Sequence, residues 1–133
     1  MATLEDVRRL ALALPEVTEG TRWRNATWFI GKAGFVWERP LSKNDARQLA
    51  ELGQPLPDGE LLAVKLPSVG EREALLAEDP ALWLTIPHFA DYAAVLLRLE
   101  AVELDELAEI IEDAWLEFAP EQLAADFLAG KDD

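Results

Sequence analysis

The side chains best suited to recognition chemistry lie in the first third of the chain. Arg22, Arg24, Lys32, Arg39, Lys43 and Arg47 are interleaved with Trp23, Trp28, Phe29, Phe35 and Trp37, and between positions 22 and 47 only Glu38 and Asp45 oppose them. Guanidinium groups hold phosphates through paired hydrogen bonds and indoles stack on bases, so this combination is the chemistry of a nucleic-acid contact. Arg22, Trp23, Arg24, Lys32, Arg39 and Lys43 are the candidate contact residues. A competing reading has Trp23 and Trp28 covering a sheet while the arginines pair with acids of the C-terminal helix. The nucleic-acid reading requires the cations to share one exposed surface.

A second group surrounds the only histidine. Trp83, Thr85, His88 and Tyr92 are candidates for lining a pocket that takes a small anion or ligand. A lone histidine after a proline also suits a purely structural hydrogen-bonding role. It lacks a nucleophile to activate and a second histidine to share a metal. The chain has no cysteine, which excludes disulfides, thiolate nucleophiles and zinc–thiolate or iron–sulfur sites. No catalytic residue, metal or cofactor is therefore expected. The acids between Glu103 and Glu117 follow the solvent face of an amphipathic helix rather than the oxygen-rich turn of a calcium loop.

Charge is divided unevenly along the chain. Residues 1–50 hold eight Arg and Lys against six Asp and Glu, whereas residues 51–133 hold four against twenty, leaving a net charge of −14. Such a molecule repels polyanions at long range, so any nucleic acid must be held locally, weakly and with strong salt sensitivity. The same charge favours the alternative, a protein- or small-ligand-binding domain with no nucleic-acid role. At 133 residues, half of them apolar, the chain suits one domain with a sizeable core. No apolar run is long enough for a membrane partner, and the first residues carry Glu5 and Asp6 where an export signal needs cations, so a cytoplasmic location is expected.

Several elements are needed to position these groups. Thr3 caps a helix whose stripe is Leu4, Val7, Leu10, Ala11 and Leu14, stopped by Pro15. Residues 16–25 read as a polar connection around Gly20. Residues 26–30 and 35–39 read as strands joined by the turn 31–34, with Phe35 and Trp37 on one face and Val36 opposite. Ser42 caps a short helix over 43–52, residues 61–66 form a strand, and Ser68 opens a helix to Glu78 with Glu71 completing a capping box. Residues 82–86 and 94–102 read as strands around a loop at 87–92. Leu104 to Phe118 carries a wide apolar stripe, and Pro120 restarts a shorter helix. The pattern predicts an α+β fold: a two-layer, mainly antiparallel sheet with helices packed on one face.

Local patterns at 14–20, 35–43, 71–80, 85–92, 95–99 and 104–120, taken in this order, resemble those of the YjbR/MmcQ-like family. Leu14 to Gly20 resembles its turn after the first helix, and Phe35 to Lys43 resembles a branch whose second strand runs into an inserted segment, here about 40–60. Glu71 to Pro80, Thr85 to Phe89 with Asp91-Tyr92, Val95 to Leu99, and Leu104 to Leu107 with Asp113 to Trp115 and Ala119-Pro120 complete the series. The resemblance implies a single domain of the kind compared with bacterial frataxin-like proteins and secretion chaperones. It also implies DNA binding through a double-wing arrangement of strands and loops. Related sequences often place Lys or Arg after the Ala-Pro; here Glu121 and Gln122 stand there. The position of a Pro-Trp pair after Tyr92 is held by Ala93-Ala94.

Overall fold

Hydroxyl caps open the first three helices of the chain, whose computed structural model describes residues 1–131. Helix α1 (Leu4–Leu12) starts at Thr3, whose hydroxyl accepts the Asp6 amide while the Asp6 carboxylate accepts the Thr3 amide. Helix α2 (Lys43–Glu51) repeats this reciprocal pair between Ser42 and Asp45. Helix α3 (Val69–Glu78) opens on Ser68, which accepts the Glu71 amide at 3.2 Å. The expected return bond from Glu71 is not among the described contacts; its exposed carboxylate leaves that box half formed.

Six strands make one antiparallel sheet: β1 (Val17–Arg22), β2 (Asn25–Ile30), β3 (Ala33–Glu38), β4 (Leu61–Lys65), β5 (Trp83–Leu84) and β6 (Ala94–Arg98), in the order β1-β2-β3-β4-β6-β5. The 16–25 segment, expected as a connection, is corrected to the edge strand β1. It pairs with β2 from Val17 opposite Ile30 to Arg22 opposite Asn25. Its residues are half-buried or exposed on both faces, so no hydrophobic alternation announces it; the ladder to β2 holds it in place. The expected 31–34 turn tightens to Gly31-Lys32, with Ile30 opposite Ala33. The strand expected over 82–86 shrinks to two residues, and 87–92 contains the 3-10 turn Pro87–Phe89.

A bulge in β3 overturns the predicted facing of its aromatics. Trp28 stands opposite Val36 but Phe29 stands opposite Gly34, leaving Phe35 as the extra residue. Phe35 and Val36 both enter the main core, while Trp37 turns to the other face.

The main core lies on the first face of the sheet, beneath α1, α3 and α4 (Leu104–Phe118). Val7, Trp28, Phe35, Leu62, Leu97, Leu107, Ile111 and Trp115 are buried there. The last helix, α5 (Glu121–Lys131), rests outside α4, held by Phe127 edge-on to Trp115 at 5.0 Å and by Lys131 on Glu112 at 2.6 Å. The α+β fold is therefore as expected, with one addition. Helix α2 and the 3-10 turn cover part of the second face, where Leu49 packs on Leu61, Ala63, Ile86, Phe89, Ala94 and Leu96. This cover is possible because β4 and β6 are apolar on both faces. No described helix is long and apolar enough to cross a membrane.

Candidate functional site

Strand direction decides which of the six basic and aromatic candidates can act together. Arg22 ends β1 and Asn25 begins β2, so Trp23 and Arg24 form the whole turn between them. Both take left-handed backbone, with φ of 55° for Trp23 and 70° for Arg24. That is the geometry of a type I′ hairpin turn, which favours Asn-Gly and costs an L-residue with a Cβ about 1 kcal/mol or more per position. The Asn25 amide donates to the Trp23 carbonyl at 3.2 Å and steadies the turn. Trp23 is 84% exposed, and neither Arg22 nor Arg24 has a carboxylate within salt-bridge distance among the described residues.

Of the other three candidates, Lys32 is the one the strand pairing carries away from this tip. Lys32 sits in the β2–β3 turn, at the opposite end of the six-residue β2, on the order of 20 Å away. Arg39 follows β3 at the same end as the tip, but its guanidinium meets the Asp45 carboxylate at 2.9 Å and lies over the Phe89 ring. Lys43 is exposed at the first turn of α2. Of the six, Arg22, Trp23 and Arg24 are contiguous at one tip, Arg39 is engaged by Asp45, and Lys32 and Lys43 are exposed on other elements. The competing expectation also fails in part: among the described residues, none of the arginines from 22 to 47 bonds a carboxylate of α4, and Arg39 and Arg47 use acids of α2 instead.

Asp45 serves both the Ser42 cap and Arg39. Burial by itself would raise its pKa, but the Ser42 amide and hydroxyl and the Arg39 guanidinium outweigh it, and the carboxyl titrates below its ordinary value of 3.8. A depressed folded pKa means that ionised Asp45 stabilises the fold above 3.8, and that this contribution fades as pH falls through the lower folded value. Asp45→Asn is expected to cost about 1–2 kcal/mol near neutral pH. The deficit should close in acid, as read by urea unfolding across pH.

The second candidate group is not brought together. Trp83 is buried in the main core on the first face, opposite Leu97 of β6. His88 is exposed on the 3-10 turn, its ring 6.1 Å from Phe89, and Phe89 and Tyr92 belong to the second face. Thr85 carries a buried hydroxyl without a hydrogen-bond partner among the described residues. Two clefts, one between α1, α4 and α5 and one around Pro40, Pro57 and Leu61, are lined by none of the four. Trp83 alone of the four belongs to a strand, β5, where it faces the main core, whereas His88 and Tyr92 follow on the segment packed at the second face.

Two features had no clear sequence signal. Arg72 of α3 is only 4% exposed and donates to the carbonyls of Phe89, Ala90 and Tyr92, clamping the 87–92 segment. Phe29 lies on the second face between Gly20 and Gly34, with the Arg22 guanidinium 5.0 Å over its ring. The chain pattern that supports these elements is a known one. The YjbR family model matches residues 12–117. This chain belongs to the YjbR family. The matched span runs from the end of α1 into α4 and contains the whole sheet; α5 lies beyond it. Uncharacterized proteins of Mycobacterium bovis and Mycobacterium tuberculosis are similar throughout, each 40% identical over 129 residues that cover 97% of this chain and 98% of theirs. No solved structure matches the chain.

Proposed function

We propose that this YjbR-family chain is a non-catalytic module that binds nucleic acid weakly through the tip of the β1–β2 hairpin. The observation that carries this reading is Trp23, 84% exposed in a turn where both residues hold left-handed backbone, between two arginines without carboxylate partners among the described residues. Left-handed backbone at residues that disfavour it clusters at functional sites, which supports a role for this turn beyond folding. Arg22 and Arg24 supply phosphate contacts, and the Trp23 indole supplies a stacking surface. Three residues on a molecule of net charge −14 make a weak and strongly salt-dependent contact. A protein partner is the second reading. It is supported by that same net charge and by the residue types at the tip, since Trp and Arg dominate binding hot spots.

Trp23→Asn with Arg24→Gly separates folding from binding in one variant. The new turn relieves the backbone and is expected to stabilise the fold by about 1–2 kcal/mol, read as a higher Tm. The same change is expected to weaken DNA binding at low salt by tenfold or more, on the order of one stacked base and one phosphate contact. Wild-type protein that fails to bind any DNA at low salt, or a double variant that binds as tightly as wild type, overturns the nucleic-acid reading.

A further inference from the structure

We propose that the nucleic acid taken by this hairpin is single-stranded, and that it continues from the tip across the uncovered half of the second sheet face to Trp37 and Tyr92. This deepens the reading above and rests on it. Register and the β3 bulge place Thr18, Gly20 and Arg22 of β1, Asn25, Thr27 and Phe29 of β2, and Gly34 and Trp37 of β3 on that face; Thr18 and Arg22 are exposed, Gly20, Asn25, Phe29 and Trp37 half-buried, and Thr27 and Gly34 buried. On a chain of net charge −14, these strand positions include no carboxylate and one guanidinium. The acids of the same strands lie elsewhere: Glu19 points to the first face, bonded to the Trp28 indole at 2.9 Å and to Arg8 at 3.0 Å, and Glu38 sits opposite Leu62 of the main core. The apolar cluster beneath α2 reaches β1–β3 only at Trp37, so this half of the face lies outside that cover.

The surface is also flat and aromatic. Glycine at 20 lets the Phe29 ring lie against the sheet, since a Cβ there would stand 3.1 Å from Phe29 Cε2; a Cβ at Gly34 would crowd Thr27 Cγ2 at 3.0 Å and make only ordinary contact with Phe29 Cε1 at 3.6 Å. The Arg22 guanidinium stacks 5.0 Å above the ring, where it stays charged and keeps donors for a phosphate. Trp37 follows on the next strand, and Tyr92, 45% exposed, stands 6.3 Å from it. Asp91 beside Tyr92 places a negative charge where the track ends. A duplex hides its base faces and offers phosphates and groove edges, so flat aromatics gain little from it. A single strand offers base faces to stack and a backbone to neutralise, the chemistry that this face presents.

The test measures anisotropy of labelled oligothymidylate and of a duplex of equal length against the full chain at low salt. Oligothymidylate is expected to bind about tenfold more tightly than duplex. Tyr92→Ala, at the far end, and Thr18→Glu, which adds a carboxylate to the face at an exposed edge position, are each expected to weaken the single strand about five- to tenfold. Duplex preferred or bound equally, or both variants neutral while Trp23→Asn/Arg24→Gly abolishes binding, overturns the single-strand path and leaves the tip reading intact. Binding of neither probe overturns the tip reading itself.

Discussion

Trp115→Ala is expected to destabilise the protein by about 4 kcal/mol, the upper range for a large core truncation. Trp115 is fully buried in α4, and its indole joins three parts of the fold. Its Nε1 donates to the Pro15 carbonyl at 3.1 Å, fixing the turn between α1 and β1. Its ring takes the edge of Phe127 from α5, and its body fills the core against the sheet. Truncation leaves a cavity, an unpartnered Pro15 carbonyl and a loosened α5. A melting temperature lower by more than about 10 °C is the expected reading for a chain of this length. Trp115→Phe keeps most of the volume and loses the Pro15 bond, so it should cost about 1–2 kcal/mol. Equal losses for the two variants would show that the indole hydrogen bond, rather than packing, carries the effect.

Arg72→Met is the second large effect, at about 3 kcal/mol. The guanidinium is buried, and Glu73, its nearest carboxylate at 3.3 Å, is largely exposed, so its main partners are backbone carbonyls of the 87–92 segment. Methionine fills the aliphatic path but returns none of those bonds. Arg72→Lys keeps the charge as a single point and cannot fork to three carbonyls, so it should recover less than half of the loss. Denaturant unfolding measures the cost. Faster proteolysis within 87–92 reports the released segment. A loss below about 1 kcal/mol for Arg72→Met would mean that water satisfies these carbonyls equally well. The clamp also holds the backbone at Tyr92, the far end of the proposed single-strand path, so Arg72→Met is expected to weaken that binding too.

Legibility in the sequence followed how local each cause was. The Thr3 cap of α1, the Ser42–Asp45 box of α2 and the apolar face of α4 are written within a few residues of where they act and form as read, although α1 ends at Leu12, before the expected Leu14. Strand β1 escaped because an edge strand with two partly wetted faces needs no apolar alternation. The facing of Phe35 and Trp37 escaped because a single inserted residue reverses the parity of everything after it. Arg72 escaped because its partners lie 17 to 20 positions away and are backbone atoms that no side-chain pattern marks.

The candidate site divides along the same line. Residue order by itself established that eight of the twelve cations lie in residues 1–50 of an acidic chain, interleaved with five aromatics, and that thiol chemistry is absent. It also established the α+β class, because helical and strand periodicities are local properties. Only the tertiary structure decided which cations meet. Antiparallel pairing sends Lys32 to one end of β2 and Arg22 and Arg24 to the other, and the α2 cap draws Asp45 onto Arg39. Charge is carried by residues, but an electrostatic surface depends on the direction in which each strand runs.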